Sequence, residues 1–349
     1  MTANNLVIVR AGKNSLHNHW LDQAPETRSW DLIVSYFDKE AFDSHQEQPG
    51  VKKLYYEGGK WSGIYDAIER TNSLRSYEYF WCPDDDIYSK GENINEMFIT
   101  AKKWNLELCQ PALTNASFFF HFIVTQCHAF DLRFTNFVEV MLPCISCNYM
   151  IDIMPIIKSR HTGVGLDLIW GTPTLNPKNA VAVLDKTPMA HTRPVGAVLK
   201  GVVNSMGQPQ RKMRNQLLED FGFHRRPDQV ALAGVVQGEL IDDPEAVYKL
   251  MIDSYEETAI HYQNPALALE RLNQIKESYK NQIAALNDFT ITRKDFNRLI
   301  AEENCGVIEV NVEKDRNSKA TRKNTIQNGK INLQKSNLLQ RMLNIFSLK

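Results

Sequence analysis

The sequence predicts an α/β fold in which a largely parallel sheet is flanked by helices. Short β-branched or aromatic runs alternate with stretches of helical spacing through the first 110 residues, and this alternation is typical of a doubly wound sheet. A chain of 349 residues with 43% hydrophobic content is also long enough to bury a large core and to carry an appendage.

The first four predicted strands are short apolar runs at residues 6–9, 31–37, 53–56 and 79–82. The first three end at pairs of turn residues, which are Ala11-Gly12, Asp38-Lys39 and Gly58-Gly59. Ile64, Tyr65 and Ile68 are spaced as on one helical face and precede the fourth strand. Strand and helix therefore alternate up to residue 82.

The middle of the chain continues this pattern less regularly. A helical face at residues 94–104 is followed by predicted strands at 106–110, 137–142 and 181–184. The phenylalanines between 118 and 122 are expected in the core. We predict that the catalytic domain spans residues 1–206.

Beyond that boundary the sequence predicts a helical appendage at residues 207–312. Its start signals are Asp243 before Pro244 and Asn264 before Pro265. Residues 313–349 are predicted to be a basic linker and a terminal amphipathic helix. That helix either contacts an anionic membrane surface peripherally or packs on its own domain or another subunit.

Charge and cysteine usage limit the class of protein. Lys and Arg total 40 against 41 Asp and Glu, so no overall charge attracts nucleic acid. The first ten residues lack the pattern of a secretory signal, and the six cysteines lie mostly in apolar segments, as reduced core thiols do. We expect a cytoplasmic protein, with the tail available for the inner face of the membrane.

Three consecutive carboxylates, Asp84, Asp85 and Asp86, follow the fourth predicted strand directly. Like charges this close repel one another, so a folded site needs a compensating cation, and oxygen ligands favour Mg²⁺ or Mn²⁺. The alternative is a solvated acidic turn.

Two later segments carry further candidates. Asp167 lies between glycines and bulky apolar residues, where partial desolvation would raise its basicity and make it a general base; alternatively it caps a helical turn. His191 and Arg193 suit a metal ligand and a phosphate clamp, although a lone histidine is more often structural.

Six ordered motifs together resemble the DUF707 proteins, which are similar to nucleotide-sugar glycosyltransferases of the GT-A fold. The resemblance covers roughly residues 5–200 and implies a Rossmann-like mixed sheet with an Asp-x-Asp metal motif. By position, Asp84 and Asp86 are its outer members and Asp85 is the variable one, His191 completes the metal shell, and Asp167 is the base of an inverting enzyme. The motifs are residues 9–17, 84–86, 110–113, 137–141, 165–167 and 191–196.

The donor nucleotide is then expected at the carboxyl ends of the first strands. Arg10, Gly12 and Ser15 would approach it, Asp38 would accept a hydrogen bond from base or ribose, and Asp84, Lys60 and Arg193 would lie near the phosphates. Alternatively, Arg10 forms a structural ion pair, Gly12 is a turn residue and Lys60 is an ordinary exposed lysine.

The leading hypothesis is a metal-dependent transfer of a sugar from a nucleoside diphosphate to a hydroxyl of a glycan, a lipid-linked or a small-molecule acceptor. One alternative is a metal-dependent nucleotidyltransferase or phosphohydrolase using the same carboxylates. The other is a noncatalytic protein that binds nucleotide sugars or carbohydrate. The sequence contains neither a GxxxxGK[ST] phosphate loop nor an HExxH helix, which favours the transferase.

Overall fold

A computed structural model describes residues 3–159, 163–171, 176, 178–196, 210–223 and 228–285. All of these residues fall within one compact unit. A large mixed sheet runs through this unit with helices packed against it, which confirms the predicted α/β class.

Ten strands of the described region lie side by side in the order β11-β10-β7-β9-β6-β8-β4-β1-β2-β3, and β5 pairs with the end of β9. Strands β3, β2, β1 and β4 are parallel, β8 is antiparallel to both of its neighbours, and β6 and β9 are parallel to each other. The strands are β1 (Asn5–Ala11), β2 (Trp30–Tyr36), β3 (Val51–Tyr55), β4 (Tyr79–Trp81), β5 (Ile87–Tyr88), β6 (Leu108–Leu113), β7 (Leu132–Thr135), β8 (Cys144–Ser146), β9 (Val181–His191), β10 (Ala231–Val236) and β11 (Glu239–Ile241).

Two of the described helices begin at an aspartate that caps the helix with its side chain. Asp38 caps the first helix by accepting a hydrogen bond from the Ala41 amide, and Asp243 does the same for the seventh through the Glu245 amide. The described helices are α1 (Lys39–Ser44), α2 (Lys60–Thr71), α3 (Gly91–Lys103), α4 (Cys147–Ser159), α5 (Leu166–Ile169), α6 (Gln210–Asp220), α7 (Pro244–Thr258) and α8 (Pro265–Ala285).

The core lies on both faces of the parallel strands. Every residue of β1 is buried, as expected for a parallel strand covered on both sides. Helix α2 packs against β1 and α4, and α3 packs against β6 and β9. The cysteines of the described residues are free, with Cys82, Cys109, Cys127 and Cys144 buried and Cys147 half-buried. Cys305 lies outside the described residues.

The predicted strand at residues 137–142 is absent. The segment is irregular and largely buried. Most of its carbonyl groups bind side chains, and the Met141 carbonyl also accepts from the Asp84 amide over 2.7 Å. The Val138 carbonyl accepts from Trp170 Nε1, the Leu142 carbonyl accepts from Trp81 Nε1, and Lys60 binds two others. Propensity predicted a strand here, but side-chain donors supply the hydrogen bonds that a strand partner would have made.

The region beyond residue 207 contains the predicted helices α7 and α8 and also two strands that the sequence pattern did not reveal. Strand β10 pairs with β7 and β11 pairs with β10, so this region extends the central sheet. The division at residue 206 stays a prediction, and residues 313–349 lie outside the described part of the chain. No helix in the described ranges combines the length and apolar character needed to cross a bilayer.

A buried ion pair connects this region to the sheet. Arg133 on β7 forms two hydrogen bonds of 2.9 Å with the carboxylate of Asp185 on β9. Arg133 Nη1 also donates to the hydroxyl of Tyr255 on α7 over 2.8 Å, and Nη2 donates to the Thr125 carbonyl over 2.7 Å. Both charged side chains are fully inaccessible to solvent, so the pair fixes two strands and one helix together.

Candidate functional site

The acidic triplet lies at the carboxyl ends of the parallel strands β1 and β4. Strand β4 ends at Trp81, and Asp84 to Asp86 follow within five residues. Strand β5 then pairs antiparallel with the end of β9, with Ile87 opposite His191. This pairing brings Asp86 beside His191, which is 105 positions away in the chain.

Each carboxylate of the triplet contacts a cationic or potentially cationic side chain of the protein. Asp84 contacts Lys60, Asp85 contacts Arg193, and Asp86 contacts His191. The exposed fractions of the three acidic side chains are 35%, 12% and 12%. These partners relieve the mutual repulsion of the carboxylates, and the low exposure excludes a freely solvated turn.

Lys60, the first residue of α2, uses its ammonium group to join Asp84 to the 137–142 segment. Its Nζ lies 2.6 Å from Asp84 Oδ1 and donates to the carbonyls of Val140 and Met141 over 2.6 and 2.9 Å. Burial and the nearby Asp86 raise the pKa of Asp84, while Lys60 opposes that shift. With three acceptors for three ammonium hydrogens, Lys60 would have to exchange one of them to contact a phosphate.

Asp85 fixes the loop that follows β1. Its Oδ2 accepts the Gly12 amide over 2.8 Å, and its Oδ1 lies 3.0 Å from Arg193 Nη1. Arg193 also donates to the Asn14 carbonyl over 2.5 Å, and the Leu16 amide donates to the Asp85 carbonyl over 2.7 Å. The middle carboxylate, assigned above to a variable position, therefore holds Gly12 and Arg193 in place.

Asp86 and His191 form the most deeply buried pair of the site. Asp86 Oδ2 lies 3.2 Å from His191 Nε2, and both residues are more than nine-tenths buried. Burial alone would raise the pKa of Asp86, but the hydrogen bond and charge of His191 bring it below its usual value. Burial would likewise lower the pKa of His191, yet Asp86, the Phe118 carbonyl and Asp84 together raise it.

The Asp86–His191 pair has features of a divalent-cation site. His191 Nδ1 lies 2.7 Å from the Phe118 carbonyl, and a metal-binding histidine usually donates its other ring nitrogen in this way. Two ligands about 2.1 Å from one octahedral ion lie roughly 3 Å apart, close to the 3.2 Å between Oδ2 and Nε2. Asp86 Oδ1 is buried without a hydrogen-bond partner, so these residues fit such an ion.

The third predicted ligand is placed differently. Asp84 is bound to Lys60, and among the described residues no three His, Cys, Asp or Glu side chains are arranged to hold one ion together. An ion at Asp86 and His191 would therefore take its remaining ligands from groups other than the His, Cys, Asp and Glu side chains of the described residues. Mg²⁺ is commonly held this way, by one or two carboxylates together with substrate phosphates and water.

Asp167 lies in the first turn of the short helix α5 and is half-buried. The N-cap residue is Gly165, which has a φ of 85°. The same helix is anchored by Trp170, whose Nε1 donates to the Val138 carbonyl over 2.7 Å. Asp167 is thus held next to the 137–142 segment, close enough to Glu139 to affect its pKa.

Glu139 is a site residue that the sequence reasoning did not single out. It is 3% exposed, and its Oε2 is buried without a hydrogen-bond partner. Burial, followed by the charge of Asp167, raises the pKa of Glu139 to about 8. Glu139 belongs to the motif at residues 137–141. Within a predicted strand, however, a glutamate indicated only that polar and apolar residues alternate.

The residues predicted to contact the nucleotide differ in how many of their polar atoms already have hydrogen-bond partners in the protein. Arg10 points into the interior, where its terminal nitrogens donate to Ser35 and to the carbonyls of Tyr56 and Gly58. Burial lowers the pKa of Arg10 to about 10. The guanidinium is thus held by carbonyl groups and not by the ion pair considered above, and its role in nucleotide binding stays a prediction.

Ser15 and Asp38 also have protein partners. The Ser15 hydroxyl lies 2.7 Å from His17 Nδ1, and Asp38 Oδ1 caps helix α1. Gly12 lies so close to Phe37 that a Cβ would come within 2.7 Å of the ring. The structure thus places Gly12, Ser15 and Asp38 at the predicted edge, and their roles in nucleotide binding stay predictions.

A second buried histidine lies at this edge. His17 is 3% exposed, its Nε2 has no hydrogen-bond partner, and its ring stacks 6.4 Å from that of His45. Burial, with a smaller effect of His45, lowers the pKa of His17 to about 4, so the ring is neutral at physiological pH. The motif at residues 9–17 contained His17, but sequence gave no reason to prefer it over its neighbours.

No family model and no curated protein matches this chain. Among solved structures, the chain is similar to the crystal structure of S. aureus TarS 1–349, with a TM-score of 0.38 and 10% sequence identity over 87% of this chain and 92% of that one. The resemblance to the DUF707 proteins and the GT-A designation therefore stay predictions that rest on the motifs.

Proposed function

We propose that this protein transfers a sugar from a nucleoside-diphosphate donor to a hydroxyl group, using Mn²⁺ or Mg²⁺ bound at Asp86 and His191. The observation that supports this most is the Asp86–His191 pair, with its 3.2 Å separation, buried unpartnered Oδ1 and oriented imidazole. It lies where the parallel strands of an α/β sheet end, which is where such sheets bind nucleotides.

The residues around this pair suit the charge of a diphosphate. Asp85 contacts the Arg193 guanidinium and thereby fixes its orientation at the site. The Arg193 side chain is 32% exposed, so a ligand can reach it. Lys60 adds a second positive charge at Asp84. Once bound, a divalent cation supplies the charge that stabilises the departing diphosphate.

In the proposed reaction Asp167 removes the proton of the acceptor hydroxyl. The acceptor oxygen forms a bond to the anomeric carbon while the bond from that carbon to the diphosphate oxygen breaks, and the electron pair of that bond leaves with the nucleoside diphosphate. Attack from the side opposite the leaving group inverts the anomeric configuration. The acceptor is a glycan, a lipid-linked or a small-molecule hydroxyl, and we propose a cytoplasmic site of action.

Replacing Asp167 with asparagine should lower turnover by about 10²–10⁴-fold, the usual contribution of a positioned base, while leaving nucleoside-diphosphate affinity unchanged. Turnover is measured as nucleoside diphosphate released from UDP- and GDP-sugars, with Asp152→Asn, on helix α4, as the matched control. NMR of the transfer product gives the anomeric configuration. Retained configuration would contradict the role of Asp167 without affecting the proposed cation site.

The products separate this function from its alternatives. Release of pyrophosphate or free phosphate would favour a nucleotidyltransferase or phosphohydrolase, and binding without turnover across a panel of acceptors would favour a noncatalytic binding protein. No observation among the described residues favours either alternative over sugar transfer.

A further inference from the structure

Glu139 combines almost complete burial with an unsatisfied polar atom inside the proposed site. The residue is 3% exposed, and its Oε2 has no hydrogen-bond partner among the described residues. A buried polar atom without a partner costs on the order of 1–3 kcal/mol. Close to the proposed base Asp167 and to the Lys60–Asp84 pair, an unsatisfied atom of this kind points to a ligand atom as the missing partner.

Hydrogen bonds fix the backbone on both sides of Glu139, so the position of its side chain is well defined. The Glu139 amide donates to Oε1 of the fully buried Gln110 over 2.6 Å. The preceding carbonyl, of Val138, binds Trp170, and the following two carbonyls bind Lys60. Glu139 therefore lies between the attachment of the Asp167 helix on one side and the Lys60–Asp84 pair on the other.

Burial is the largest influence on the protonation state of Glu139, and four charged groups that face it modify the effect. Asp167 and Asp84 also disfavour its ionised form, whereas His191 and Lys60 favour it. The pKa of about 8, compared with an ordinary value near 4.5, means that Glu139 carries a proton at neutral pH. It is then an O–H donor without a negative charge that would repel a diphosphate.

We infer that Glu139 recognises the transferred sugar by forming a hydrogen bond between its unpartnered carboxyl oxygen and a hydroxyl of that sugar. The inference rests on the proposed function, because it places the sugar between the diphosphate near Lys60 and Arg193 and the base Asp167. This is the position that Glu139 occupies along the 137–142 segment. Glu139 is thereby a specificity residue for a hydroxyl-bearing sugar.

The first test compares nucleoside diphosphates with their sugar derivatives. Calorimetry with Mn²⁺ measures Kd for UDP, GDP, UDP-glucose, UDP-N-acetylglucosamine and GDP-mannose, using the full chain. Glu139→Ala should weaken the best sugar nucleotide about tenfold, the equivalent of one hydrogen bond of about 1.4 kcal/mol, and leave UDP or GDP unchanged. Glu139→Gln, which keeps an N–H donor, should restore most of the loss, and the exposed Glu69→Gln should have no effect.

The second test needs no substrate. An acid whose pKa is raised on folding binds more protons folded than unfolded between its two pKa values, so stability falls as pH rises from about 4.5 to about 8. Urea unfolding should show that the stability advantage of Glu139→Gln over wild type grows across this range and is constant above it. A constant difference throughout would contradict the protonated state.

The outcomes also separate this inference from the proposed function. If neither UDP nor GDP binds to the wild-type protein, the proposed function fails and the inference fails with it. If UDP or GDP binds but Glu139→Ala weakens the nucleoside diphosphate and its sugar derivative equally, or weakens neither, the inference is wrong and the proposed function stands.

Discussion

Replacing Asp86 with asparagine is expected to lower sugar transfer by about 10²–10³-fold. Asp86 has one oxygen 3.2 Å from His191 Nε2 and one buried without a partner, so the substitution removes the carboxylate from both positions while keeping its shape. A bound cation contributes several kcal/mol to a transition state with developing charge, and each 1.36 kcal/mol is tenfold in rate. The measurement is initial-rate release of nucleoside diphosphate at saturating Mn²⁺.

Asp43→Asn is the matched control, because Asp43 is an exposed aspartate of helix α1 that pairs with Lys39 on the surface. Its rate should equal that of wild type. Circular dichroism of both variants checks that the fold is kept. A rate for Asp86→Asn within threefold of wild type would contradict a catalytic role for the Asp86–His191 pair.

Replacing Asp185 with asparagine should lower the free energy of unfolding by about 3–5 kcal/mol, the usual result of removing one partner of a buried ion pair. The change leaves the Arg133 charge fully buried without its counter-ion, although Tyr255 and Thr125 still accept two of its hydrogen bonds. Urea denaturation followed by tryptophan fluorescence measures the effect.

The control for Asp185 is the double variant Arg133→Met/Asp185→Leu, which removes both charges. Replacing a buried pair with apolar residues of similar volume is often close to neutral, so the double variant should recover most of the lost stability. A loss below 1 kcal/mol in Asp185→Asn, or a double variant less stable than that single one, would show that the pair does not fix strands β7 and β9.

The sequence was most informative where a run of buried residues is followed by turn residues. Short runs with apolar residues predicted β1 to β4 to within two residues. Strands β1, β2 and β4 are almost entirely buried, as parallel strands covered on both faces are. Strand β3 has one buried residue, Leu54, and was indicated by the turn residues that follow it. Strands β10 and β11 were missed because β11 has an exposed polar-apolar sequence and β10 is joined to the sheet only by pairing with the distant β7. Residues 137–142 were predicted as a strand because composition cannot show that side chains will bind the carbonyl groups.

For the site, the sequence predicted candidate residues that the structure brings together, but it did not predict the protein partners that hold them. The pairing of Asp86 with His191 depends on the short strand β5, and the pairing of Asp84 with Lys60 depends on where helix α2 begins. Neither is a local property of the sequence. Glu139 was missed for the same reason, because its burial and its proximity to Asp167 arise only from tertiary packing.

The most direct test of the proposed cation and donor site is a calorimetric titration of UDP and GDP into the purified protein, with Mn²⁺ and with excess chelator, in wild type and in Asp86→Asn. We predict that one nucleotide binds to wild type with Mn²⁺, and that chelation and the Asp86 substitution each weaken that binding by at least tenfold. Equal affinity with Mn²⁺ and chelator, or in wild type and variant, would contradict a donor site built on Asp86 and His191.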